Sequence, residues 1–211
     1  MRNIVIICLD SVRKDIYDKE MNEVKNMVDI SLDGCRAASS WSVPSHASFL
    51  TGQLPSEHGV HTRNIHFESL SEDRVISRSS SFESSFSISA NQFTSDEFGF
   101  DTWFDECITL GSTSYFPSGL DVRRTNSIID HLRESLKHEH PLKSLANGTV
   151  SAIIKANDSL STQSPFDKGA SSILRATESS ISNAEEPYFL FSNFMEAHHP
   201  HRPYRRHDKN N

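Results

Sequence analysis

"NIVIICLD", residues 3–10, is a run of apolar and mostly β-branched side chains that ends abruptly at an aspartate. A continuous apolar run of this kind predicts a strand of a parallel sheet that is buried on both faces. In open α/β sheets, ligands bind outside the carboxyl ends of the strands, and Asp10 with Ser11 comes directly after this strand. The stretch therefore predicts an α/β fold with a polar site at the end of its first strand.

A second apolar run, "YFLFSNF" at 188–194, predicts another buried strand late in the sequence. It follows a helix-like stretch at 167–186 and precedes a loop that contains His198 and His199. The order helix, buried strand, polar loop is the repeating unit of an α/β sheet. These histidines are therefore expected at the same edge of the sheet as Asp10.

Further elements are predicted between these two strands. Residues 121–138 place apolar side chains at spacings near three and four, which predicts an amphipathic helix, and residues 22–32 predict a shorter one. The serine-rich segment 77–89 fits a surface loop, but "FSISA" (86–90) leaves a strand open. No repeat and no linker rich in proline or glycine divides the chain, so residues 1–211 are expected to form one domain.

The composition argues against several classes of protein. A formal charge of -7 and an isoelectric point near 5.9 argue against a nucleic-acid partner. Three widely spaced cysteines without a Cys-x-x-Cys pair suggest neither a disulfide framework nor a zinc site, and they fit a reducing compartment. The apolar stretch before Asp10 is shorter than a signal sequence or a membrane span. A cytoplasmic protein without a membrane span is expected.

The stretch "SSWSVPSHASFLTG", residues 39–52, concentrates hydroxyl groups just before an apolar run. Ser45 is interpreted as the start of a helix, because Pro44 favours an extended conformation at the residue before it. Ser42 then lies just ahead of the helix N-terminus, where unpaired N–H groups and the helix dipole favour an anion. The stretch predicts an anion-binding site at Ser42.

This stretch also contains candidates for catalysis. A serine hydroxyl is a weak nucleophile at neutral pH and needs a base, a metal or chemical modification. A divalent cation held by Asp10 would activate Ser42, because metal coordination lowers the pKa of a bound oxygen. His46, in the first turn of the predicted helix, is a candidate donor to the same anion. Other polar residues are interpreted structurally: His58 as orienting the loop after this helix, and Asn91 as a packing and turn residue.

The spacing of these residues resembles a known signature. Ser42-Val43-Pro44-Ser45-His46, four residues and then Thr51-Gly52 resemble the sulfatase signature of the alkaline phosphatase superfamily, Cys/Ser-x-Pro-Ser-Arg, four residues, Thr-Gly. Four further stretches resemble elements of that family and occur in the same order: "NIVIICLDSVRKD" (3–15), "LPSEHGVHTRN" (54–64), "SANQFTSDEFGFDTWFDE" (89–106) and "PYFLFSNFMEAHHPHRPY" (187–204).

The resemblance implies a fold and a metal site. The implied fold is α/β, with a mixed, mainly parallel central sheet and helices on both faces, as in alkaline phosphatase. The implied cofactor is a divalent metal, with calcium first and manganese or magnesium as alternatives, and its ligands here are Asp10, Ser11 and Ser42. The family is much longer than this chain, so residues 1–211 are expected to be the N-terminal portion of a truncated sulfatase-like domain, with the C-terminal portion missing.

The resemblance also implies catalytic roles. Ser42 matches the nucleophile, which sulfatases convert to formylglycine, and His46 stands where the signature has arginine. His198 or His199 matches the substrate-binding histidine. The implied function is metal-dependent hydrolysis of a sulfate ester of a sugar or another small molecule.

Two alternatives stay open. Ser-x-Pro-Ser-His resembles superfamily members that use an unmodified serine or threonine against phosphate esters, including phosphoglycerol transferases. Ser42 without modification would then serve a phosphate-ester hydrolase or phosphotransferase. The second alternative is an inactive remnant or binding protein, because the later Asp-His-Gly or Asp-Asn-Gly metal-ligand element of the family has no match in the sequence.

Overall fold

The computed structural model describes residues 2–110, 116, 118–158 and 169–198. Within this part of the chain, short 3₁₀ turns and loops connect four strands and seven helices. The strands are β1 (Ile4–Leu9), β2 (Ser84–Ser89), β3 (Glu106–Thr109) and β4 (Tyr188–Phe194). The helices are α1 (Lys14–Glu20), α2 (Asn22–Met27), α3 (Ser42–Thr51), α4 (Pro55–His58), α5 (Ile128–Lys137), α6 (Pro141–Asp158) and α7 (Ala170–Ser182).

The strands form one sheet in the order β1-β4-β2-β3. All three neighbouring pairs are parallel, with Cys8 aligned with Asn193 and Asn193 aligned with Ser89. The predicted α/β class is confirmed, and the sheet, which was expected to be mixed, is parallel throughout the described strands. Because parallel strands share a direction, the carboxyl ends of β1, β4 and β2 meet at one edge.

Helices cover both faces of the sheet, as predicted. On the α3 face, Phe189 and Phe191 of β4 pack with Val43 and Phe100. On the opposite face, Leu190 of β4 packs with residues of β2 and α7. Because neighbouring β4 side chains alternate between these two cores, β4 is an inner strand that is buried on both faces.

The prediction that β1 is buried on both faces is wrong for the described part of the chain. There β1 pairs with β4 alone and forms an edge of the sheet. Ile6 and Cys8 pack against the α3-side core, whereas Val5 is 47% exposed and Ile7 is 62% exposed. A continuous apolar run is compatible with burial on both faces of a strand. Whether both faces are buried depends on which other elements pack against them.

The predicted helices are present with shorter bounds. α7 lies inside 167–186, α2 lies inside 22–32, and α5 is the second half of 121–138. The apolar stripe of α5 differs from expectation, because Ile128 and Leu136 are exposed while His131 and Ser135 are buried. Polar packing against α6 causes this orientation, since His131 Nε2 lies 3.0 Å from the carbonyl oxygen of Ser144. None of the described helices combines the length and apolar character needed to cross a bilayer.

Candidate active site

Helix α3 begins at Ser42, three residues earlier than predicted. Its N-cap is Trp41, with extended backbone angles of φ -135° and ψ 144°. The predicted extended conformation at Val43 is wrong, because Val43 and Pro44 lie in the first helical turn. A proline is tolerated there because the first turn makes no use of its missing N–H. The i to i−4 pattern starts when the Ser45 N–H donates to the Trp41 carbonyl oxygen at 3.4 Å.

The start of α3 supplies unpaired backbone donors beside the Ser42 hydroxyl. Among the described residues, the N–H groups of Ser42 and Val43 have no hydrogen-bond acceptor. The positive end of the helix dipole lies at the same place, so an anion there gains both donors and a favourable field. The predicted anion-binding character of this turn therefore has a physical basis in the fold.

Asp10 lies directly opposite Ser42. Its backbone N–H donates to the Phe194 carbonyl oxygen at 2.9 Å, which fixes the residue at the carboxyl ends of β1 and β4. Oδ2 of Asp10 accepts a hydrogen bond from Ser42 Oγ at 2.9 Å, and Oδ1 accepts one from Ser11 Oγ at 2.9 Å. The fold thus brings together three of the residues singled out from the sequence.

Ser11 holds an unusual backbone conformation. Its φ is +64°, and it is the one non-glycine residue with positive φ in the described part of the chain. A side chain in this left-handed region costs about 1–2 kcal/mol, and such residues concentrate at functional sites. The local hydrogen bond from Ser11 Oγ to Asp10 offsets part of that cost. The turn directs the chain away from the sheet immediately after the carboxylate.

Asn91 completes the set of donors around Asp10. Its Nδ2 donates to Oδ2 of Asp10 at 3.3 Å, although the two residues are 81 positions apart in the chain. The residue is 4% exposed and lies two positions after the end of β2, and Asp10 lies one position after the end of β1. The sequence interpretation missed this contact. The strand-end rule that identified Asp10 would have found Asn91 as well, had "FSISA" been accepted as a strand.

His46 lies one helical turn below Ser42 and is 1% exposed. Its Nε2 accepts a hydrogen bond from Nδ2 of Asn193 at 3.0 Å, and its ring lies 5.2 Å from the ring of Phe191. Burial lowers the pKa of His46 to about 4, and the negative charge of Asp10 opposes part of this shift. The imidazole is therefore neutral at pH 7, and its hydrogen bond goes to the sheet instead of to Ser42.

His58 anchors the loop that follows α3. Its Nδ1 accepts a hydrogen bond from the Val60 N–H at 3.0 Å, so the ring proton is on Nε2, which lies 3.1 Å from Ser48 Oγ. Burial lowers the pKa of His58. These contacts give His58 the loop-orienting position that the sequence suggested.

Of the two histidines expected to bind substrate, His198 lies among the described residues. His198 lies four residues after β4, is half-buried, and donates its backbone N–H to the Met195 carbonyl oxygen at 3.0 Å. It is thus in the loop at the same sheet edge as Asp10. His199 lies outside the described residues.

The donor set around Asp10 does not by itself fit a divalent cation. It contains one carboxylate, and the hydroxyls of Ser11 and Ser42 both donate hydrogen bonds to that carboxylate. Calcium takes six to eight oxygen ligands, and catalytic zinc takes three protein ligands. Across residues 2–110, 116, 118–158 and 169–198, no group of three or more His, Cys, Asp or Glu side chains is arranged to hold a metal ion.

Comparison with known protein families places the chain in a described family. A family model described as type I phosphodiesterase / nucleotide pyrophosphatase matches residues 4–210, nearly the whole chain. No curated protein and no solved structure matches significantly. The matched span includes both Asp10 and Ser42, which the fold places in hydrogen-bond contact.

Proposed function

Because the chain belongs to the type I phosphodiesterase / nucleotide pyrophosphatase family of the alkaline phosphatase superfamily, we propose that it hydrolyses phosphate esters with unmodified Ser42 as its nucleophile. One observation carries the proposal. Ser42 Oγ, at the N-terminus of α3, donates a 2.9 Å hydrogen bond to the Asp10 carboxylate. A nucleophile within 2.6–3.2 Å of a proton acceptor is the arrangement that covalent catalysis requires.

The proposed reaction has two steps. Ser42 Oγ attacks phosphorus while its proton passes to Asp10, and the bond between phosphorus and the leaving alcohol breaks as that alcohol takes the proton. A water molecule then attacks phosphorus and gives a proton to Asp10, and Ser42 Oγ leaves and regains that proton. The N–H groups of Ser42 and Val43 are available to the oxygens that gain charge, as in other anion sites at helix N-termini.

The charge of the site favours a singly charged ester. Asp10 contributes one negative charge, and His46 is neutral at pH 7 because burial lowers its pKa to about 4. No lysine or arginine of the described residues is hydrogen-bonded or ion-paired to Asp10 or Ser42. A phosphodiester, with one negative charge, is repelled by Asp10 less than a phosphomonoester with two. We therefore propose phosphodiesters as the substrate class.

In this proposal His46 has a structural role, and His198 or His199 has a substrate-binding role. His46, buried under Ser42, would hold α3 against β4 through Asn193. His198 or His199 would contact the ester from the loop after β4, as the resemblance to sulfatases implies. The supporting observation for His198 is its place at the sheet edge where Asp10 lies.

A divalent metal at Asp10, Ser11 and Ser42 remains a prediction, with calcium first and manganese or magnesium as alternatives. Such a cation would neutralise charge on the ester. It would need ligands beyond the donor set of Asp10, which does not fit a cation alone. The proposed steps above therefore depend on the side chains and not on a metal.

The test compares esters and variants of the same chain. We expect release of p-nitrophenol from bis(p-nitrophenyl) phosphate, and release at least roughly 10-fold slower from p-nitrophenyl phosphate. Ser42→Ala should lower kcat by on the order of 10³-fold or more. Ser40→Ala, an exposed serine two residues earlier, is the matched control and should leave kcat unchanged. Equal activity of Ser42→Ala and wild type would refute the proposal.

Sulfate-ester hydrolysis is a second candidate, favoured by the spacing from Ser42 to Gly52. It would require formylglycine at Ser42, which is lighter than serine by two hydrogens. The mass of the peptide that contains Ser42 separates the two candidates, and turnover of p-nitrophenyl sulfate would accompany the modified form. A chain that neither turns over an ester nor carries the modification would favour the remnant or binding protein.

The thiols support the proposed cytoplasmic location. Cys8, Cys35 and Cys107 are all free. Burial raises the pKa of the Cys8 and Cys107 thiols to about 11, so both stay protonated at pH 7. Cys8 packs against the α3-side core, and Cys107 Sγ donates to the Thr94 carbonyl oxygen at 3.5 Å. Free cysteines are ordinary in a reducing compartment.

A further inference from the structure

Asn91 uses all of its polar groups within a single network. Its backbone N–H donates to Ser89 Oγ at 3.0 Å, and its carbonyl oxygen accepts from the Thr94 N–H at 3.1 Å and from Thr94 Oγ1 at 2.7 Å. Its Oδ1 accepts from the Phe93 N–H at 3.0 Å. With 4% exposure, the side chain has little freedom to turn away from Asp10.

This network determines the direction of the amide. The Phe93 N–H requires an acceptor, and the Asp10 carboxylate requires a donor, so Oδ1 faces the former and Nδ2 the latter. The opposite assignment would place oxygen against oxygen and N–H against N–H, which repel. Because the Phe93 N–H holds Oδ1, the side-chain amide of Asn91 presents its N–H group to Asp10.

The amide and the Ser42 hydroxyl share one acceptor atom. Oδ2 of Asp10 receives Ser42 Oγ at 2.9 Å and Asn91 Nδ2 at 3.3 Å, whereas Oδ1 receives Ser11 Oγ. A carboxylate rotates easily about its last torsion, since the energy well there is broad. Donors on both oxygens, one of them from Asn91 after the buried end of β2, stop that rotation. Ser11 alone, on an exposed and adjacent residue, would fix the carboxylate less firmly.

We infer that Asn91 is a positioning residue of the Ser42 site, whose side-chain amide holds the Asp10 carboxylate in the orientation that accepts the Ser42 hydrogen bond. This inference rests on the proposed function of Ser42. It assigns Asn91 a role through Asp10 and requires no contact with the ester. Misplacement of reacting groups by about 1 Å costs on the order of 100-fold in rate, which sets the scale of the expected effect.

The first experiment tests the contact without using activity. Wild type, Asp10→Asn, Asn91→Asp and the double variant Asp10→Asn/Asn91→Asp are compared by thermal unfolding. Asn91→Asp keeps the acceptor for the Phe93 N–H but places two carboxylates together, and Tm should fall by about 3–6 °C. The double variant restores a donor and an acceptor with exchanged places. Most of the lost Tm should therefore be regained, and folding should be regained if Asn91→Asp alone does not fold. Losses that simply add would overturn the inference.

The second experiment measures positioning by kinetics with bis(p-nitrophenyl) phosphate. Asn91→Asp should lower kcat by on the order of 100-fold, with KM changed by less than about threefold, because the substrate does not touch the amide. Asn183→Asp is the matched control and should leave kcat unchanged. Asn183 is an exposed asparagine at the C-terminal end of α7, where its side chain donates to the Ser179 carbonyl oxygen. An unchanged kcat in Asn91→Asp would overturn the inference. If the wild type releases no product, the proposed function fails and the thermal comparison alone decides the role of Asn91.

Discussion

The side-chain amide of Asn193 donates a 3.0 Å hydrogen bond to Nε2 of His46, and this bond joins the carboxyl end of β4 to the helix that begins at Ser42. Asn193 is 0% exposed and His46 is 1% exposed. Nδ1 of His46 and Oδ1 of Asn193 have no hydrogen-bond partner within the described residues. The pair forms a polar layer between the Ser42 site and the aromatic core around Phe191 and Phe100.

His46→Ala should destabilise the fold. The change leaves a cavity in the aromatic core and removes the partner of a buried amide, which together cost about 2–4 kcal/mol in the free energy of unfolding. Urea unfolding of the purified chain measures the loss. His66→Ala, an exposed histidine, serves as control and should stay within about 0.5 kcal/mol of wild type. Equal stabilities of the two variants would contradict the structural role of His46.

His46 also predicts a dependence of stability on pH. Its pKa is about 4 in the fold against 6.5 in the unfolded chain, so the unfolded chain binds the proton more readily. The contribution of His46 is therefore complete above pH 6.5 and is lost as pH falls from 6.5 towards 4, by about 3 kcal/mol in total. Urea unfolding measured at several pH values across this range should show that the free energy of unfolding falls less steeply with decreasing pH in His46→Gln than in wild type. Parallel pH profiles of the two proteins would show that the shift is absent.

Ser11→Gly should separate stability from activity. Glycine adopts φ near +64° without the penalty that serine suffers, so the free energy of unfolding should rise by as much as about 1 kcal/mol. The change removes the hydroxyl that donates to Asp10 Oδ1, so kcat for bis(p-nitrophenyl) phosphate should fall by about 10-fold. Thermal unfolding and steady-state kinetics of the one variant check both effects. A loss of stability together with full activity would be the opposite of this expectation.

Cation binding should be weak and should depend on Asp10. A single carboxylate does not fill the coordination sphere of calcium, so a dissociation constant of about 1 mM or weaker is expected for the chain. Calorimetric titrations with calcium, manganese and magnesium, on wild type and Asp10→Asn, measure it. Tight binding that persists in Asp10→Asn would place the cation elsewhere and contradict the predicted metal site.

The sequence predicts the two strands β1 and β4 and the sheet edge at which they end, leaves β2 open and does not predict β3. β4 spans 188–194, the bounds that its apolar run indicates, and Asp10 lies at the strand end where the α/β rule puts ligand-binding residues. Both predictions depend on a local pattern, a continuous apolar run that ends at a polar residue. The rule failed for Asn91 only because the serine-rich β2 lacks the apolar run that marks the other buried strands.

Other features depend on tertiary packing and local backbone chemistry that the pattern does not contain. Pro44 predicts an extended residue before it, but a proline is equally compatible with the first helical turn, where α3 places it. The exposed face of β1 and the outward apolar stripe of α5 follow from which neighbours pack against them. The positive φ of Ser11 has no sequence signal, because the left-handed region is normally signalled by glycine.

The measurement that tests the central claim most directly is the mass of the chain during turnover of bis(p-nitrophenyl) phosphate, quenched in acid and digested. The account predicts a p-nitrophenylphosphoryl group on the peptide that contains Ser42, located at Ser42 by fragmentation and absent from Ser42→Ala. Turnover without any adduct at Ser42, or an adduct at another residue in both proteins, would contradict the assignment of Ser42 as the nucleophile.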